Sequence, residues 1–64
     1  MNKTQRDSLE RFCKTSDAEV VSTISHGDKT LATLATYLSG SLILLDVTWI
    51  NYRWCVYGVS IQWS

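Results

Sequence analysis

Leu42-Ile-Leu-Leu-Asp-Val-Thr-Trp-Ile50, followed after three residues by Trp54-Cys-Val-Tyr-Gly-Val-Ser-Ile-Gln-Trp63, decides the fold of this chain. Both runs are rich in β-branched and aromatic residues, which suit a pleated, half-buried surface. Together they predict one long β-hairpin, with the remaining two thirds of the chain built to cover it. Side chains alternate faces along a strand. The odd positions of the first run are Ile43, Leu45, Val47 and Trp49, and those of the second are Cys55, Tyr57, Val59, Ile61 and Trp63. Directly opposed residues share a face, so joining the two apolar sets requires odd opposite odd. A three-residue loop, Asn51-Tyr52-Arg53, does this by setting Ile50 against Trp54, Trp49 against Cys55 and Val47 against Tyr57.

The even face is unusual for a solvated one. It holds Leu42, Leu44, Asp46, Thr48 and Ile50, then Trp54, Val56, Gly58, Ser60 and Gln62. A water-facing sheet surface should be mostly polar, and this one is apolar at both ends of the first strand. Gly58 falls opposite Asp46, which marks a bulge or a close approach of another backbone.

Working outward, charge is segregated. Eight of the twelve charged residues lie between positions 3 and 19, and only Asp46 and Arg53 come after Lys29. Thr4 to Ser16 reads as an amphipathic helix, with Thr4 as N-cap and Asp7 three residues on. Leu9, Phe12 and Cys13 form its apolar stripe. Asp7–Arg11 and Glu10–Lys14 are i, i+4 pairs on a solvated face. The stripe is narrow, so this helix covers one side of a small sheet.

Residues 17 to 40 admit two readings. As strands, Glu19 to Ser25 and Thr30 to Leu38 are joined by His26-Gly27-Asp28-Lys29, with Ser39-Gly40 as the next turn. Turn signals near residues 27, 40 and 52 then space out a four-stranded meander. As helices, Ser16-Asp17-Ala18-Glu19 is a capping box, and Leu31, Leu34, Ala35 and Leu38 make an i, i+3, i+4, i+7 stripe. Threonine at 30, 33 and 36 opposes that second reading, because it loses side-chain freedom in a helix. The fold taken here is α+β: an N-terminal helix on an antiparallel meander of three to four strands, centred on the 42–63 hairpin. The alternative is three helices plus a hairpin, winged-helix-like in outline, with Lys29, Thr30, Thr33, Thr36 and Tyr37 on a recognition helix.

Sixty-four residues and 7.3 kDa make a single small domain spanning 1–64. A chain this short buries only about 60% of its unfolded surface and leans on staples or partners. Cys13 and Cys55 are too few for a disulfide framework. Free, largely buried thiols are expected, with one bridge from helix to hairpin as the alternative. Net charge is zero, which argues against nucleic acid or an anionic membrane as electrostatic partner. No apolar run reaches the roughly 18 residues of a membrane span, and the N-terminus lacks a signal-peptide core. The expectation is a cytoplasmic chain.

Chemistry finds little support. Ser25, His26 and Asp28 crowd one turn, whereas a triad needs groups converging from different elements; turn composition explains them. One histidine and two scattered cysteines do not give zinc spacing. The glycines are isolated, so there is no phosphate loop, and no cofactor, metal or catalytic residue is expected. The positive signal is the hairpin tip. Ile50, Tyr52, Arg53 and Trp54 cluster there, and Trp, Tyr and Arg dominate interface hot spots. Val56 and Leu44 extend this surface, and Trp63 ends a strand with neither charge nor proline to guard its edge. The functional expectation is a non-enzymatic protein-binding module able to form a homodimer. By size class alone it fits an inhibitor or adaptor, such as the short proteins with which phage and other mobile elements block host enzymes. A DNA-binding regulator goes with the helical alternative.

Overall fold

The computed structural model describes residues 1–62. Helix α1 (Lys3–Ser16) leads into four strands: β1 (Glu19–His26), β2 (Lys29–Leu38), β3 (Ser41–Ile50) and β4 (Arg53–Gln62). The strands form one antiparallel sheet in the order β1-β2-β3-β4. This is the α+β meander. The three-helix alternative is overturned: residues 19–38 are two paired strands, and the residues assigned to a recognition helix lie along β2. The DNA-binding reading loses its structural basis with it.

Turn chemistry explains why β-structure wins. Leu31, Leu34 and Leu38 have helical spacing, yet the segment is bracketed by two-residue turns that only close a hairpin. Gly27 opens the first at φ 64°, and Ser39 and Gly40 make the second at φ 53° and 81°. Positive φ at such central positions matches the twist of the flanking strands.

The helix begins two residues earlier than Thr4 capping requires. Asn2 is the N-cap. Its side chain accepts from the Gln5 amide at 2.8 Å, and the Gln5 side chain accepts from the Asn2 amide at 3.0 Å. Asn outranks Thr as a cap, and Gln completes the reciprocal box. At the other end Asp17 takes a left-handed conformation, and the Ala18 amide donates to the Cys13 carbonyl at 2.9 Å, which ends the helix in a Schellman turn.

Two threonines of β2 pin α1 along the sheet. The Gln5 side chain donates to Thr30 Oγ1 at 3.3 Å, and Thr36 Oγ1 donates to the Asp17 carbonyl at 3.0 Å. Twelve helical residues rise about 18 Å, close to the roughly 20 Å between those threonines along a strand. Leu9 and Cys13 press on Ala32, Leu34, Val47 and Trp54, with Phe12, Ala18, Leu45 and Trp49 packed around them. Leu34 and Val47 are completely enclosed. A 14-residue helix of about 21 Å is shorter than a ten-residue strand of about 33 Å. Val59 and Ile61, on the helix side of β4, stay exposed.

The β3–β4 connection corrects the expected tip. The loop is two residues, Asn51-Tyr52, both at positive φ (52° and 63°), and Ile50 pairs with Arg53, Trp49 with Trp54, and Val47 with Val56. A bulge follows. Asp46 pairs with Gly58 and leaves Tyr57 without a partner. The residue missing from the loop reappears in the bulge, so the expected register holds from Asp46–Gly58 to Leu42–Gln62 and fails only at the tip.

Candidate functional site

The bulge redistributes β4 between the two faces. Before it, Trp54 and Val56 share the helix side with Val47 and Trp49; after it, Val59 and Ile61 share that side with Leu45 and Ile43. Arg53, Cys55, Gly58, Ser60 and Gln62 take the open side, opposite Ile50, Thr48, Asp46, Leu44 and Leu42. Trp54 and Val56 were expected on the even face and Cys55 in the core; the two-residue turn reverses both assignments.

Trp54 is thus a core residue, only 6% exposed. Its indole N–H donates to the Gln5 carbonyl at 3.0 Å, which gives a buried indole the partner it needs. Its ring meets Trp49 edge-on at 5.3 Å, and Trp49 in turn meets Tyr52 at 6.5 Å. Tyr52 is the most exposed large hydrophobic side chain among the described residues, at 85%. The tip cluster therefore divides. Trp54 points inward, Tyr52 lies against the edge of Trp49, and Ile50 and Arg53 face outward on the open side. Val56 is exposed at the outer strand on the helix side, and Leu44 is half-buried at the centre of the open face. Trp63 lies outside the described residues.

The open face is the candidate site. Leu31, Ala35, Leu42, Leu44 and Ile50 run across β2 and β3, flanked by exposed Ile24 on β1 and Tyr37 on β2. No element of residues 1–62 packs over it. A shallow depression of about 450 Å³ opens at one end, lined by Asp28, Lys29, Leu31, Thr48, Trp49, Ile50 and Tyr57. Periodicity missed Tyr57, because the two-residue turn, where three residues were expected, sends it to this side together with Cys55; the nearest sequence signal was Gly58.

Asp46 stands in the middle of this apolar field. Thr33 Oγ1 donates to its Oδ1 at 3.2 Å. A Cβ added at Gly58 would come within 3.2 Å of Asp46 Oδ2. The carboxylate thus lies over the glycine, which is the close approach that an isolated strand glycine signals, made here by a side chain.

Ser25, His26 and Asp28 keep to the β1–β2 turn and the strand ends beside it. Ser25 pairs with Thr30 and His26 with Lys29, so neighbouring Ser25 and His26 point to opposite faces, and both are exposed. Among the described residues no three His, Cys, Asp or Glu side chains gather to hold a metal, and no buried side-chain nitrogen or oxygen lacks a hydrogen-bond partner. Cys13 and Cys55 are both free. Cys13 sits in the core and Cys55 on the open face, with the sheet between them. Burial raises the Cys13 pKa above its ordinary value, with Glu10 adding to the rise. No helix among the described residues is long and apolar enough to cross a membrane.

Compared with known proteins, the chain matches no family model, and neither a curated protein nor a solved structure matches it.

Proposed function

We propose that this chain is a small non-enzymatic protein-binding module that presents the open face of its sheet to a protein partner and also self-associates. The observation that carries the reading is the field of Leu31, Leu42, Leu44 and Ile50, with no layer of the described chain above it. Large exposed apolar patches on small domains mark interaction sites. The depression beside Tyr57 and Ile50 suits an apolar anchor residue. Asp46 beside Leu44 suits a basic side chain of the partner, since burying that carboxylate unpaired is strongly unfavourable. The partner is therefore a protein presenting apolar residues around one lysine or arginine. An inhibitor or adaptor acting in the cytoplasm, of the kind mobile elements encode, fits this size and chemistry.

Affinity capture from the source cells tests the reading, using the wild-type chain beside Leu44→Lys and Ile50→Lys variants. A specific protein retained by the wild type and lost with both variants is the expected result. It should then bind the purified chain directly and lose at least ten-fold in affinity when Asp46 is replaced by Lys. Equal retention by all three chains would remove the open face from consideration.

A further inference from the structure

We infer that a second copy of this chain pairs antiparallel with the free edge of β4, about a two-fold axis near Ser60, to build a continuous eight-stranded sheet from two four-stranded ones. The inference rests on the self-association half of the reading above and is independent of the open-face partner.

The two sheet edges are unlike. Edge strands are normally guarded by charge, proline or bulges. β1 has Glu19 and His26 at its ends and a register break around Val21. β4 also opens on a charge, Arg53, but carries no charged residue or proline from Trp54 to Gln62, and the helix side of its regular part is Val59 and Ile61, where that of β1 is Thr23 and Ser25. Its one irregularity, at Tyr57, lies in its first half, and Gly58–Gln62 pair regularly with Leu42–Asp46 beyond it. That regular half is where α1 no longer reaches: Val59 is 59% and Ile61 50% exposed, both on the helix side.

Charge selects the occupant. A two-fold axis sets a strand against itself, so a charged residue near the axis meets its own like. A neutral strand escapes this cost. The open face does not, because stacking it on its own copy would bring two Asp46 carboxylates into one apolar interface. With the axis at Ser60, Val59 of each copy faces Ile61 of the other on the helix side, and Gly58 faces Gln62 on the open side. Such an edge buries less than the standard interface of about 1,600 Å², so the dimer forms reversibly with concentration and leaves both open faces free.

Sedimentation velocity over a wide concentration range tests this with wild type, Val59→Lys and Leu44→Lys, alongside hydrogen exchange of the wild type at both extremes. The wild type should pass from monomer to dimer, Leu44→Lys should follow it, and Val59→Lys should associate at least ten-fold more weakly. Amides of 58–62 should exchange more slowly at high concentration. A wild type that stays monomeric, a dimer unaffected by Val59→Lys, or protection that appears on β1 instead would overturn the inference. The exchange pattern decides alone should a variant misfold. Failure here leaves the partner-capture result untouched, and failed capture leaves the dimer.

Discussion

The indole of Trp54 on β4 donates to the main-chain carbonyl of Gln5 on α1 at 3.0 Å, tying the last strand to the first turn of the helix. The same indole is part of the core formed with Leu9, Cys13, Ala32, Leu34 and Val47, so it contributes by burial and by a hydrogen bond. The two effects separate by substitution. Trp54→Phe keeps most of the ring and should cost about 1–2 kcal/mol, a hydrogen bond plus a little packing. Trp54→Ala should cost about 3–5 kcal/mol. Urea denaturation of the two variants measures both, and near-equal losses would show that the hydrogen bond, not the ring, dominates.

Asp46 and Gly58 should behave as one unit. An alanine Cβ at 58 meets a carboxylate that Thr33 holds from the other side. Gly58→Ala alone is therefore expected to destabilise by about 0.5–1 kcal/mol, although alanine in a strand normally improves on glycine. In an Asp46→Ala background the same change should be neutral or stabilising, a coupling of contacting residues that a double-mutant cycle reads directly. Strict additivity would mean that the carboxylate moves aside freely.

Helix capping gives a separate test. Asn2 and Gln5 satisfy each other's amides, and losing the cap in Asn2→Ala should cost about 1 kcal/mol. Thr4→Ala, at the position that sequence pattern favours as cap, should change stability by no more than about 0.5 kcal/mol. The reverse order would move the start of the helix.

The thiols differ in access. Cys55 is half-exposed and Cys13 buried, so a thiol reagent should modify Cys55 in the folded protein and Cys13 only on unfolding. Burial, then Glu10, raises the folded-state pKa of Cys13 above the ordinary 9.0. The unfolded chain therefore ionises first as pH rises. The Cys13 contribution is complete below about pH 9 and declines as pH climbs from there through the folded-state pKa. Wild type should lose more stability than Cys13→Ala between pH 7 and pH 10.5, and equal losses would assign the decline to other groups.

Much of this was legible in residue order, and the failures have two separate causes. The hairpin, its Asp46–Gly58 register, the helix stripe of Leu9 and Cys13 and the turns at Gly27 and Gly40 all follow from local chemistry. The segment 29–38 divided the readings because both of its faces meet apolar neighbours: Ala32 and Leu34 enter the core, while Leu31 and Ala35 line the open side. Alternation is faint when both faces are apolar. Trp54 and Val56 were assigned to the wrong side because parity was settled within the loop. A two-residue turn plus a bulge meets the same constraint, and no single residue announces that choice. Arg53 next to the turn and Gly58 after the bulge are the traces it leaves.

Among the described residues, the sheet is covered on one side only. Methyl NMR with a soluble nitroxide as broadening agent tests this most directly, and edge pairing between copies does not alter it. Leu31, Leu44 and Ile50 methyls should broaden strongly, while those of Leu9, Leu34 and Val47 remain sharp. Leu44 and Ile50 signals as protected as Leu34 would contradict it.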